Sequence, residues 1–241
     1  MTPAMTQENA RPLIVVEDLA KTFVLHNADQ AAIPVFERLG MQVMPGECLV
    51  LAGESGAGKS SLMRSIYGNY LPTAGSVKVL HDGAYVDITT ASPNQVLEVR
   101  RRTLGYVSQF LRVIPRIPTL QLVMEPLLEN GVAKAEAHER AQALLTKLRL
   151  PTRHWDLAPS TFSGGEQQRV NIARSFIRQY PVMLLDEPTA SLDGENRAVV
   201  VDLIQEALAR GAAMIGIFHD QDVRDAVASR LFPVADFKVA A

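Results

Sequence analysis

Apolar residues fall into short blocks near the two ends of the chain and into helical repeats through its middle. Residues 13–16 and 21–25 are short, β-branched or aromatic, and predict strands. Residues 41–44 alternate, Pro45-Gly46 supplies a turn, and 47–52 predict the next strand, so the chain opens as a meander, antiparallel at its start. Residues 59–67 predict a helix that Gly68 ends from the C′ position. Residues 76–80 and 84–88 flank Asp82-Gly83, a tight-hairpin signal. Ser92-Pro93 reads as N-cap and first helical residue of a helix to Arg102, and 105–109 as a short strand.

The second half is richer in helix. Residues 119–128 and 135–148 carry the helical period; in the latter Ala137, Ala141, Leu144, Leu145 and Leu148 share a face. A further helix opens at Ser163 and runs to about Arg178. Residues 181–185 and 213–218 are continuous apolar runs, as expected of strands buried on both faces. Between them 196–210 is amphipathic, with Val199, Val200, Leu203, Ile204 and Leu208 inward and Gly211 as its stop, and another helix starts at Asp220. The expected fold is α/β: one domain over 11–241, with an antiparallel β part, a helical subdomain inserted at about 110–178, and a disordered polar lead-in over 1–10.

Composition narrows the partners. The 241 residues are 47% hydrophobic and 21% charged with a net charge of −2, which argues against nucleic acid as the main partner. Cys48 is the one cysteine, so no disulfide framework forms within the chain and a structural zinc site is excluded in practice. That usage fits a reducing compartment, and the expected location is the cytoplasm. The first twelve residues lack the apolar core of a secretory leader. No apolar run reaches the ~20 residues that cross a bilayer, so a membrane role is expected only through a partner.

Two motifs carry chemistry. Gly53, Glu54, Ser55, Gly56, Ala57, Gly58, Lys59 and Ser60 fit the phosphate-loop pattern G-x-x-x-x-G-K-[ST], with a strand leading in and a helix leading out. Glycines let backbone N–H groups close on phosphate oxygens, and the helix N-terminus adds its dipole. Lys59 is placed for the β- and γ-phosphates and the Ser60 hydroxyl for Mg2+, so ATP and Mg2+ are the expected ligands. The second motif is Asp186-Glu187, at the carboxyl end of an apolar strand, where ligands bind in open α/β sheets. Asp186 is the candidate Mg2+ ligand, and Glu187 the candidate base for the attacking water. By itself such a pair reads equally as a strand ending in solvated acids.

Residues 162–169 read Phe-Ser-Gly-Gly-Glu-Gln-Gln-Arg. Ser163, Gly164 and Gly165 at a helix start make a second anion site. One nucleotide does not use two such sites on one chain; two facing chains use both. At this point the sequence resembles the ATP-binding-cassette family, from about residue 13 to 233. The family signature is Leu-Ser-Gly-Gly-Gln, and Ser163 precedes Asp186 by the family's 23 residues. The resemblance implies that Phe23 stacks on adenine, that Ser61 joins the ATP-contacting set, and that Gln109 touches Mg2+ and couples to a partner. It further implies that Asp193 bridges the two copies, that His219 contacts the γ-phosphate, and that Ser163, Gly164, Gly165 and Glu166 reach the partner's ATP. Taken singly, Phe23 reads as core and His219 as structural. Phe162 and Glu166 depart from the signature.

Residues 108–116, 158–174 and 216–220 resemble, within that family, the PhnL-type cassette subunits of the bacterial carbon–phosphorus lyase (phosphonate) system. That resemblance implies a subunit of the activity that joins a phosphonate to the ribose of ATP with loss of adenine, giving a ribose 1-phosphonate 5-triphosphate. It implies a second cassette copy, identical or paralogous, and a soluble lyase core as partners. Where family members contact their partners, Arg112 and Arg116 with Val113, Ile114 and two prolines make a mixed surface suited to protein contact; the alternative is a loop-to-helix connection whose apolar residues pack locally. The alternative is the ATPase of a small-molecule or lipoprotein exporter. A regulatory module that holds ATP without turnover is a third class, disfavoured by Lys59, Asp186, Glu187 and His219.

Overall fold

The computed structural model describes residues 10–25, 31–109 and 116–238. The lead-in 1–9 lies outside the described residues, as does 110–115 with Arg112, Val113 and Ile114 of the expected contact surface.

Two sheets organise the chain. The first is antiparallel and runs β2 (Ala31–Val43), β1 (Ile14–Leu25), β4 (Ala74–His81), β5 (Ala84–Asp87) across its width. The second is parallel and runs β6 (Leu104–Val107), β7 (Val182–Asp186), β8 (Ala213–Ile217), β3 (Cys48–Ala52), β9 (Arg230–Pro233). The helices are α1 (Lys59–Ile66), α2 (Pro93–Arg102), α3 (Thr119–Leu128), α4 (Lys134–Lys147), α5 (Gly164–Phe176), α6 (Gly194–Ala209) and α7 (Gln221–Val227). The stretch read as a helical subdomain carries α3, α4 and α5.

The parallel sheet divides two apolar clusters, and its strand alternation explains why its sequence runs are unbroken. On β3, Cys48 and Val50 enter the cluster with α3, α4, α5 and α6, while Leu49 and Leu51 enter the cluster with α1 and the antiparallel sheet. On β7, Met183 and Leu185 take the first side, Val182 and Leu184 the second. Both faces are covered, so no polar residue interrupts. Truncating a fully buried member such as Leu184 to Ala is expected to cost roughly 2–5 kcal/mol. Burial pushes the Cys48 thiol up to about 12, so it packs as a small apolar residue rather than reacting.

Three strands differ from the sequence expectation. β1 is one strand rather than two; its pairing shifts around Asp18, whose φ is 46°, and the shift breaks the alternation. β2 extends far upstream of 41–44, because Pro34, Glu37 and Arg38 sit on a sheet edge that tolerates them. β9 is an unforeseen edge strand, which ends at Pro233. The hairpin turn is as expected, with Asp82 at φ 47° and Gly83 at 85°.

Candidate functional site

The glycine-rich loop leaves β3 and enters α1. Gly58 takes the N-cap position of α1 at φ 93° with no side-chain cap. A Cβ there would lie 2.7 Å from Val35 Cγ1, so sterics and φ both demand glycine. A helix start without a side-chain cap leaves its first N–H groups for an external acceptor, the arrangement that binds anions. Lys59 Nζ donates to the carbonyls of Gly53 (2.7 Å) and Glu54 (2.9 Å). Ser60 and Ser61 follow in the first turn of α1.

Asp186 continues the alternation of Val182 and Leu184 and therefore faces the side of the sheet that carries α1. Tyr106, from β6, lies on the same side, and its hydroxyl donates to Asp186 Oδ2 at 2.9 Å. Asp186 Oδ1 is buried without a hydrogen-bond partner among the described residues. Burial raises the Asp186 carboxyl above the usual aspartate range; the Tyr106 hydrogen bond pulls the other way, and nearby Glu187 adds to the rise. A buried carboxylate oxygen with an unused lone pair fits a cation. Among the described residues no group of three or more His, Cys, Asp or Glu could form a protein cage for one. The Ser60 hydroxyl and one Asp186 oxygen suit a hard ion, such as Mg2+, that completes its shell with water and phosphate oxygens.

Glu187 leaves the strand with φ 53°, a left-handed value unusual for a non-glycine and often found at functional positions. Its N–H donates to Ile217 O at the end of β8, which secures the turn. The turn carries the carboxylate between two side chains. Glu187 Oε1 lies 2.7 Å from His219 Nε2, and Oε2 accepts from Gln109 Nε2 at 3.0 Å. Gln109, Glu187 and His219 sit at the carboxyl ends of β6, β7 and β8, which are neighbours in the sheet. A pocket of about 420 Å³ opens there, lined in part by Glu187, Thr189, Arg197 and His219.

The signature forms a separate centre. Ser163 is the N-cap of α5 in a capping box: Glu166 N–H donates to Ser163 Oγ, and Glu166 Oε2 accepts from Ser163 N–H at 2.9 Å and Oγ–H at 2.8 Å. These hydrogen bonds hold the Glu166 carboxyl below its usual range. A Cβ on Gly165 would come within 2.7 Å of Ser191 O, so the loop before α6 packs directly on α5; Gly164 is open. Asp193 is exposed and caps α6, accepting from Asn196 N–H at 2.8 Å and from Asn196 Nδ2. Phe23 lies on β1, edge-on to Tyr70 at 5.3 Å, with Lys21 Nζ 4.6 Å from its ring centroid.

The structure thus brings Gln109, Glu187 and His219 into contact and places Asp186 beside α1. The Ser163 cap and Phe23 form centres of their own. Sequence reading missed Tyr106, which it saw only as a strand residue. It also missed Gln168 and Asn171, buried polar residues of α5: Gln168 Nε2 donates to Pro188 O at 3.0 Å and Asn171 Nδ2 to Ser108 O at 2.7 Å. They tie the signature helix to the loops after β7 and β6. Amides among the apolar residues on the buried face of α5 were the available signal.

Comparisons with known proteins give the family and the fold. Residues 36–190 match the family described as ABC transporter. The chain is 37% identical, over 95% of its length, to the macrolide export ATP-binding/permease protein MacB of Brucella melitensis, of which it spans 34%. It is 36% identical, over 87% of its length, to the lipoprotein-releasing system ATP-binding protein LolD of Xylella fastidiosa, of which it spans 85%. Its fold matches the ATP-binding cassette MJ0796, solved as a dimer in a post-hydrolysis state bound to ADP and Pi, with a TM-score of 0.81 and 25% identity over 92% of this chain and 95% of that one. Among the described residues, no helix is long and apolar enough to cross a membrane.

Proposed function

From a chain that belongs to the ABC transporter family of ATP-binding cassettes, with its α/β cassette fold, we propose an ATPase that binds MgATP on residues 53–61 and hydrolyses it across two facing copies. The observation that carries the reading is the Glu187 carboxylate, held between Gln109 and His219 at the end of the strand that bears Asp186. Mg2+, when bound, would supply charge neutralisation to the phosphates, and Ser60, Asp186 and Gln109 would hold it. Lys59 leaves its loop carbonyls for the phosphates. Glu187 orients water and accepts its proton, while His219 holds that carboxylate and contacts the γ-phosphate. Phe23 stacks on the base. Ser163, Gly164, Gly165 and Glu166 close on the partner copy's nucleotide, and Asp193 lies where the two copies meet. The dimeric MJ0796 structure supports the two-copy arrangement.

For the machine driven by this turnover, the names of the relatives support a transport ATPase whose partner is a membrane-spanning permease, of the export or lipoprotein-release kind. A second reading has its own observation. The stretches 108–116, 158–174 and 216–220 resemble the cassette subunits of the carbon–phosphorus lyase system, with a soluble lyase core as partner and formation of a ribose 1-phosphonate 5-triphosphate as the activity. None of the relatives named above is a phosphonate protein, so their support goes to the transport reading. Affinity purification of the native chain without detergent separates the two. Recovery only from detergent-solubilised membranes with permease subunits supports transport; a detergent-free complex with soluble subunits overturns it in favour of the lyase.

A further inference from the structure

Both positions at which the signature departs from the family pattern touch one side chain. The ring of His154 stacks on Phe162, with centroids 4.6 Å apart and planes 27° from parallel. Its Nδ1 lies 3.4 Å from Glu166 Oε1, while the other Glu166 oxygen holds the N–H and hydroxyl of Ser163. Nδ1 is buried and makes no hydrogen bond among the described residues, and it faces Glu166 Oε1. His154 is fixed in place by a short 3-10 turn, Thr152–His154, whose last N–H donates to Pro151 O at 2.9 Å. Arg169, which also lies near Glu166, has its guanidinium on the carbonyls of Leu148 and Arg149.

A glutamine at 166 caps Ser163 without charge. A glutamate brings a negative charge to the surface that, on the two-copy reading proposed above, meets the partner's nucleotide phosphates. Like charges brought together in a desolvated interface oppose association. We propose that His154 is a positioning residue of this trans site: its ring, stacked on Phe162 with Nδ1 3.4 Å from Glu166 Oε1, keeps the carboxylate folded back on Ser163, so that the signature accepts the phosphates of the facing copy. His154 touches no substrate; it acts through Glu166.

The test is a double-mutant cycle on the full chain, read by MgATP-dependent dimerisation in sedimentation and by kcat and KM for ATP. His154→Phe keeps a ring over Phe162 and removes the nitrogen. It is expected to raise both the KM and the ATP needed for dimerisation roughly tenfold, a coupling within the range for contacting residues, with kcat within about twofold. Next to Glu166→Gln, the same change is expected to alter them less than about twofold. A His154→Phe chain that dimerises like wild type overturns the inference alone, as does an equal loss in both backgrounds. A wild-type chain that does not dimerise with MgATP overturns the two-copy reading as well.

Discussion

Glu187 Oε1 lies 2.7 Å from His219 Nε2, although the two residues are 32 apart in sequence and His219 is largely exposed. The contact exists because β7 and β8 are parallel neighbours in register, Asp186 beside Ile217, so that both residues leave the same end of the sheet. The left-handed turn at Glu187 then points the carboxylate across to the next strand. Gln109, from the neighbouring strand on the other side, closes the arrangement.

Glu187→Gln keeps the shape and the Gln109 contact but removes the proton acceptor. ATP turnover is expected to fall by roughly 10²–10⁴, the contribution usual for a positioned base, with nucleotide affinity retained. His219→Ala should lower turnover less, because Gln109 still holds the carboxylate. Steady-state ATPase assays beside equilibrium binding check both; wild-type turnover in Glu187→Gln removes Glu187 as the base.

Lys59→Ala deletes the point charge that the loop holds on its own carbonyls at Gly53 and Glu54. Charge-assisted contacts to phosphate are the strong ones, so binding of a fluorescent ATP analogue is expected to disappear at micromolar protein. Unchanged affinity would contradict the phosphate-loop assignment.

Much of this was legible in the sequence. The phosphate loop declared itself because glycine at positive φ is a steric requirement, and the buried strands because parallel sheets leave no polar face. The upstream part of β2 and all of β9 were not legible, since Pro34 and Pro233 are residues that local rules assign to loops. The grouping of Gln109, Glu187 and His219 depends on the strand order β6-β7-β8, which no local pattern encodes. The spacing Ser163-x-x-Glu166 is itself a capping-box signature; taking Glu166 only as a charged departure from the family pattern missed that it turns back onto Ser163.

Asp186 carries a cost that can be measured. Burial raises its carboxyl, so the folded protein holds that proton more tightly than the unfolded chain does, and stability falls as pH rises from the usual aspartate value through the raised one. Above that window the full cost remains. Asp186→Asn removes it while still accepting from Tyr106. Without nucleotide at pH 7 its Tm is expected to exceed wild type by roughly 2–8 °C, for about 1–2 kcal/mol at this chain length. Adding MgATP should raise the Tm of wild type more than that of the variant. A destabilised Asp186→Asn in differential scanning fluorimetry contradicts the orphaned-oxygen account.

Glu166 has the opposite sign. Ser163 lowers its carboxyl, so the stability it contributes is present above the ordinary glutamate value, near 4.5, and is lost as pH falls through the lower folded value. Ser163→Ala removes the N-cap and is expected to cost about 1 kcal/mol at neutral pH. It should also flatten the acid limb of the stability profile. Urea melts from pH 3 to 7 that superimpose for the two proteins would show that the capping box contributes nothing in solution.

The central claim, that ATP is bound and hydrolysed between two copies, is tested most directly by sedimentation velocity on the Glu187→Gln chain with and without MgATP. The account predicts monomers without nucleotide and dimers at saturating MgATP, with Ser163→Ala in the same background weakening the dimer. Monomers in both conditions, with nucleotide shown to be bound, would contradict it.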